Sequence, residues 1–258
     1  MKRPLVFITG ASSGIGLALA EHYAGQGWRL ALVARRGAEI ETWLAARNIG
    51  ADAGRAYAAD VRDVDAITAA GTDCIADLGL PDVVIANAGI SVGVDIGLRA
   101  DIDQVRATFD TNVVGMAATF QPFVDAMRVR RSGTLVGIAS VAAIRGLPGH
   151  GAYCASKAAV VALCESLRGE CRTSGVKVVT ICPGYIATPL TSRNRYPMPF
   201  LMQPEAFARR AAAAIEAGAS YRVIPWQMGI VAKLLRLLPN ALFDRAFAGR
   251  PRKRRAGE

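Results

Sequence analysis

Seven short runs of apolar residues punctuate the chain: PLVFIT (4–9), RLALVA (29–34), GRAYAA (54–59), DVVIAN (82–87), GTLVGIAS (133–140), VKVVTI (176–181) and YRVIP (221–225). They do not alternate with polar positions. Unbroken apolar character is expected of strands covered on both faces in a parallel sheet. Between them the pattern changes to a helical period, with Ile15, Leu17, Leu19, Ala20 and Tyr23 in the first interval and Val105, Phe109, Val113 and Met116 in a longer one. Residues 153–173 fit a further helix that ends near Ser174-Gly175. Strand and helix in regular alternation predict a doubly wound α/β (Rossmann) sheet of about seven parallel strands with helices on both faces.

Two segments depart from that rhythm. Residues 184–204 carry Pro189, Pro197, Pro199 and Pro204 and are expected to form a long functional loop holding at most a short helix. After Pro225, two amphipathic helices are predicted at 226–238 and 240–248, followed by a basic tail. The chain therefore divides into one domain over 1–225 and a C-terminal extension over 226–258. Ile230, Val231, Leu234, Leu235, Leu237 and Leu238 give the extension a wide apolar face, suited to covering a pocket, a partner subunit or a bilayer surface.

Composition agrees with one well-packed domain: 258 residues, 52% hydrophobic, 20% charged, with 26 glycines. Of the net charge of +10, +4 falls in the last nine residues and +6 elsewhere. Arg250, Arg252, Lys253, Arg254 and Arg255 face one acid, Glu258, and are expected to be a solvated tail. No aromatic residues are interleaved with this cluster, which argues against nucleic acid as a partner. Five cysteines lack a CxxC pair or a ligand-like spacing with His22 or His150, so a reduced, cytoplasmic protein without a bound metal is expected. No apolar run reaches the roughly 18 residues of a membrane span.

The chemistry begins at the first strand, which runs into T-G-A-S-S-G-I-G (Thr9–Gly16) and a helix. Gly10, Ser12, Ser13, Gly14, Ile15 and Gly16 suit a turn that brings backbone N–H groups and a helix N-terminus against a pyrophosphate. About 20 residues on, where a carboxylate would read a ribose 2′-hydroxyl, the chain has Ala34 followed by Arg35 and Arg36. A carboxylate would repel a 2′-phosphate, whereas a guanidinium binds it, so NADP (NADPH) is the expected cofactor, with Arg35 as the principal contact. Ser140 ends the fifth strand, and Tyr153 and Lys157 stand four apart on the next helix in G-A-Y-C-A-S-K. A nearby ammonium is expected to lower the tyrosine pKa from about 10 and fit it for acid–base work.

With these residues in hand, the sequence resembles the short-chain dehydrogenase/reductase family over nearly all of residues 1–225. The resemblance implies that Asn112, in T-N-V-V-G, joins Ser140, Tyr153 and Lys157 in the catalytic set through a water relay to Lys157. It also implies cofactor contacts from Asp60 and Val61 to adenine, from Asn87, Ala88 and Gly89, from Tyr153 and Lys157, and from Pro183, Gly184, Ile186 and Thr188 on the nicotinamide side. Implied too is hydride transfer between nicotinamide and a carbonyl or secondary alcohol, in a homodimer or homotetramer.

Ala142, Ala143, Ile144 and Leu147, with Tyr185, Leu190, Tyr196, Met198, Phe200, Leu201 and Met202, suggest a hydrophobic substrate. His150 is expected to cap a helix or lie on the surface rather than touch substrate, and Arg193, Asn194 and Arg195 to form a solvated loop tip, with binding of a carboxylate or phosphate as the alternative. The alternative is an NADP-binding regulatory or membrane-peripheral protein without turnover, with weak membrane contact through the C-terminal helices. A nucleotide-sugar epimerase shares the Tyr/Lys chemistry, but only about 30 residues follow the last strand, too few for its substrate domain.

Overall fold

The seven apolar runs form the seven strands of one parallel sheet: β1 (Leu5–Thr9), β2 (Arg29–Ala34), β3 (Gly54–Ala58), β4 (Val83–Ala86), β5 (Gly133–Ile138), β6 (Val176–Pro183) and β7 (Tyr221–Ile224). A computed structural model describes residues 3–192, 194, 196–249 and 251–257 of the chain. Arg193, Arg195 and Arg250, singled out in the sequence, fall outside the described residues.

The strand order is 3-2-1-4-5-6-7. Consecutive residues of each central strand point to opposite faces, and both faces are buried. Val6 and Ile8 of β1 join one core cluster, with side chains of α1 (Gly14–Gly25), α2 (Gly37–Ala46) and α7 (Pro204–Glu216). Leu5 and Phe7 join the other, with α3 (Val64–Leu78), α5 (Gly115–Arg130) and α6 (Gly151–Glu170). This two-faced burial is why the runs show no polar alternation. The edge strands differ from expectation: Arg55 and Ala58 of β3 and Tyr221 and Arg222 of β7 are exposed, because the helical layers cover the centre of the sheet more fully than its margins. The order reverses at β1, which lies between β2 and β4, so a crevice opens at the carboxyl ends of β1 and β4.

The long helix of residues 101–130 is interrupted. α4 (Asp101–Phe109) passes into one π turn, Asp110–Val114, before α5 resumes. The apolar spacing at 105, 109, 113 and 116 hides the extra residue that the wider turn accommodates. Such bulges occur often at functional sites, and this one carries Asn112.

Residues 184–203 contain no helix among those described, and α7 begins at Pro204. The base of this loop is closed by an Ile186–Met202 bridge, with Ala187 N donating to Met202 O (2.9 Å) and Met202 N to Tyr185 O (2.9 Å). Phe200 and Leu201 lie exposed rather than turned inward.

α8 (Trp226–Leu237) and α9 (Asn240–Phe247) take their expected places. α8 buries Met228, Gly229 and Ala232, while Trp226, Ile230, Leu234 and Leu237 form an exposed apolar stripe along its opposite side. Arg145, which the sequence did not flag, holds this extension to the loop after β5. Its guanidinium donates to the carbonyls of Leu235 and Leu238 and to Asn240 Oδ1 and packs 3.8 Å from the centre of the Phe243 ring. A cation at the end of α8 satisfies carbonyls that have no helical partner.

The tail is not a solvated end. Gly93 N donates to Arg254 O (2.8 Å), Gly93 and Arg255 form a parallel bridge, and Arg255 approaches the buried Asp101 carboxylate at 3.8 Å. Backbone pairing and an ion pair outweigh the solvation that the tail's composition suggested. No helix among the described residues is long and apolar enough to cross a membrane.

Candidate active site

A cleft of about 740 Å³ lies at the carboxyl ends of the central strands. Every residue expected to act in catalysis or hold the cofactor lines it except Gly16 and Asn112, whereas of the apolar residues expected around the substrate only Leu190 does. Gly16 packs behind the surface instead: a Cβ there would sit 2.2 Å from Gly10 O, so only glycine lets the helix approach the turn this closely. Ser13, the residue before α1, makes no side-chain cap, and the first turn of α1 carries no acidic residue. The helix N–H groups are thus aimed into the cleft with their positive dipole end open to an anion.

Thr9 and Asn87 stitch the ends of β1 and β4 together. The Thr9 hydroxyl accepts from Asn87 N (3.1 Å) and Ala88 N (3.2 Å), while Asn87 Nδ2 donates to Thr9 O (2.9 Å). Asn87 lines the cleft, yet its amide braces the glycine turn.

Three cations surround the far end. Arg36 pairs with Glu39 at 2.7 Å and donates to Ser12 Oγ at 3.1 Å. Arg62, which sequence reasoning missed, grips Asp60 with Nε and Nη2 (3.1 and 2.7 Å to Oδ2) and holds that carboxyl below its usual range. Its only sequence signal was its place two residues after Asp60. Arg35 lines the cleft without a carboxylate at ion-pair distance among the described residues, although its charge acts on Asp60. Of the two arginines flagged in the sequence, Arg35 is therefore the one free to meet a ligand phosphate.

At the near end, Ser140, Tyr153 and Lys157 all face the cleft. Ser140 Oγ accepts from Ala142 N (3.1 Å), and the Ser140 hydroxyl acts on the Tyr153 hydroxyl in the direction of the phenolate. The electrostatics correct the expectation for the pair. Burial pushes the Tyr153 hydroxyl up to about 12, and the group that favours its phenolate is Ser140 rather than Lys157. Lys157 is buried too, which lowers its ammonium to about 8; Nζ donates to Ile138 O at 2.8 Å and stands 5.9 Å from the Tyr153 ring centre. The four-residue spacing gave the shared face but not the desolvation that governs both groups.

Asn112 does not face the cleft. Its amide accepts from Ile90 N (2.8 Å) and donates to Ile90 O (3.0 Å) and Ser156 Oγ (2.9 Å). It closes the hydrogen bonds of the loop after β4, whose backbone has no strand partner there. A Cβ on Gly89 would sit 3.2 Å from Asn112 Oδ1 and 3.4 Å from Lys157 Nζ, so both groups converge beside Gly89. Asn112→Ala is expected to cost about 2–3 kcal/mol of stability, the scale of several buried hydrogen bonds lost together. Thermal or urea denaturation measures it, and a change under about 0.5 kcal/mol would remove Asn112 as the brace of this loop.

His150 precedes α6 but makes no side-chain cap. Its ring lies 5.7 Å from that of Tyr196, which lies 6.3 Å from Tyr185. These three rings pack beyond the cleft lining rather than along it.

A family model described as short chain dehydrogenase matches residues 4–198. An uncharacterized oxidoreductase of Myxococcus xanthus is 38% identical over 242 residues, spanning 93% of this chain and 94% of its own length. A short-chain dehydrogenase from Sphingobium yanoikuyae in complex with NADPH superposes with a TM-score of 0.77 at 25% identity, covering 92% of this chain and 97% of that one. A short chain dehydrogenase/reductase from Burkholderia phymatum in complex with NAD shares the fold, with a TM-score of 0.81 at 24% identity over 90% of this chain and 92% of that one.

Proposed function

The chain belongs to the short-chain dehydrogenase family of oxidoreductases, and from that premise we propose that it reduces a carbonyl to a secondary alcohol with NADPH. One observation carries this reading: Ser140, Tyr153 and Lys157 open onto the same cleft as the glycine turn and Arg35.

The residues fit a nicotinamide dinucleotide phosphate along the cleft. The uncapped N-terminus of α1 holds the pyrophosphate, Arg35 meets the 2′-phosphate, Asp60 and Val61 border the adenine, and Pro183, Gly184, Ile186 and Thr188 border the nicotinamide. Asp60 is engaged by Arg62, which keeps it ionised and offsets the repulsion its charge would present to a 2′-phosphate. When bound, the cofactor supplies the hydride. Tyr153 gives its proton to the carbonyl oxygen, Ser140 orients that oxygen, and Lys157 holds the nicotinamide ribose. Asn112 acts through the loop it braces. Tyr185, Tyr196 and Met202 hold an apolar substrate body. The same groups run the reverse reaction on a secondary alcohol.

Turnover is favoured over passive cofactor binding because Ser140, Tyr153 and Lys157 line the same cleft, with Ser140 favouring the Tyr153 phenolate. Five free, buried cysteines support a reducing, cytoplasmic setting. Assembly as a homodimer or homotetramer is part of the proposal, and the exposed stripe on α8 offers a contact surface for a partner subunit or, weakly, a membrane.

Parallel titrations of NADPH and NADH, read by the fluorescence of Trp28, Trp43 and Trp226, test the reading together with an NADPH-dependent carbonyl screen. Tighter NADPH binding and consumption of NADPH with a carbonyl substrate are expected. Binding of neither nucleotide would end the oxidoreductase proposal.

A further inference from the structure

The docked tail carries cationic side chains to the substrate rim. Residues 252–255 touch each of the three loops that follow β4, β5 and β6. Gly93, after β4, pairs with the tail backbone so closely that a Cβ would lie 2.1 Å from Lys253 O. Arg252 packs against Gly149, after β5, where a Cβ would come within 2.9 Å of the Arg252 Cβ. Lys253 Nζ donates to Leu190 O (2.9 Å) and Asn194 Oδ1 (2.7 Å), both in the loop after β6. Two glycines in separate loops thus make a seat that fits this segment, and the seat places one lysine.

Lys253 is half-buried, and both its acceptors are neutral. No carboxylate lies within ion-pair distance of it among the described residues; the nearest acid-bearing contact of the tail, Asp101, belongs to Arg255. An ammonium has three N–H groups, so one donor remains beyond the two acceptors. The neighbouring titratable side chain is His150, which burial and then the Lys253 charge hold down to about 4, so that it stays neutral beside the ammonium and neither pairs with nor repels it. From there His150 abuts Tyr196, whose hydroxyl in turn feels that of Tyr153. Leu190, whose carbonyl anchors Lys253, itself lines the catalytic cleft. A cation thus stands at the outer end of an aromatic wall whose inner end is the reacting tyrosine.

We propose that Lys253 is a specificity-determining residue that selects carbonyl substrates bearing an anionic oxygen group at the end remote from the carbonyl. The inference rests on the oxidoreductase reading and deepens it: the substrate has an apolar body that lies along Tyr185 and Tyr196 and an oxyanion that completes the lysine's hydrogen bonds. A charge-assisted bond in a half-buried site discriminates strongly against an uncharged analogue.

The test compares matched compounds: a medium-chain keto acid, the corresponding keto phosphonate and the keto methyl ester. The wild-type enzyme is expected to favour the two anions in kcat/KM with NADPH. Lys253→Met should lower kcat/KM for the anions by roughly 10- to 100-fold while leaving the ester within about twofold. Gly93→Val, which denies the tail its seat, should reproduce that loss. Unchanged anion preference in either variant overturns the proposal, as does equal loss for acid and ester in Lys253→Met. Equilibrium binding of the same compounds is measured alongside, so that recognition is read independently of turnover. Anion binding that depends on Lys253 without any reduction would sustain the recognition site and sink the reaction. Reduction of the ester with no advantage for the anions would do the reverse.

Discussion

Tyr153→Phe is expected to lower carbonyl reduction by about 10³-fold or more while leaving nucleotide affinity within about twofold. The substitution removes one oxygen and keeps the ring, so the packing around α6 stays in place. What disappears is the proton donor. In the native protein, burial holds that proton on the hydroxyl, with a pKa up to about 12, against the pull of Ser140 toward the phenolate. A donor of this kind stays protonated across the neutral range. Tyr153 should therefore impose no pH dependence on reduction between roughly pH 6 and 9, leaving only a change near pH 8 as the Lys157 ammonium titrates, while oxidation of the alcohol, which needs the phenolate, should climb with pH. Stopped-flow measurement of the first turnover separates this step from product release. If Tyr153→Phe kept more than about a tenth of the wild-type rate, the proton would have to come from another group.

Arg35→Asp is expected to weaken NADPH binding by about 2–4 kcal/mol, because it removes a charge-assisted contact and sets a carboxylate against a phosphate. NADH, which has no 2′-phosphate, should bind the variant about as well as the native protein. Arg36→Asp is the informative comparison. Arg36 is already held by Glu39 and Ser12, so its loss should disturb the glycine turn and weaken both nucleotides together. Isothermal titration of the two nucleotides against the two variants gives four affinities whose pattern assigns the phosphate site. If Arg35→Asp bound NADPH with native affinity, the site would move to Arg36 or Arg62, or the cofactor would be NADH.

Much of this was legible in the sequence because it depends on local pattern. The strands were readable because sheet burial on both faces makes each run apolar throughout, and their ends match the runs to within about two residues. The glycine turn and the Ser140, Tyr153 and Lys157 group were readable because each places specific atoms at fixed spacing. The parts that were missed depend on contacts between distant segments. The π turn keeps the apolar spacing of an ordinary helix, so nothing in residues 105–116 announces that Asn112 turns toward Ile90. Arg145 reads as a surface cation until the carbonyls of α8 arrive beside it. The tail was misjudged because its composition suits solvent, and the two glycines that seat it read as turn residues of other loops. The ionisation of Tyr153 and Lys157 depends on how deeply α6 is covered, which no spacing expresses.

The seating of the tail on Gly93 and Gly149 also sets an order of completion. During synthesis, every residue that lines the nucleotide cleft leaves the ribosome before residues 252–255 do. The glycine turn, the central strands and the catalytic helix can therefore assemble while the rim still lacks its third wall. If Lys253 selects the substrate as proposed, cofactor capture and substrate discrimination depend on segments made at different moments, the first on the central sheet and the second on a segment that travels back to its seat on Gly93 and Gly149.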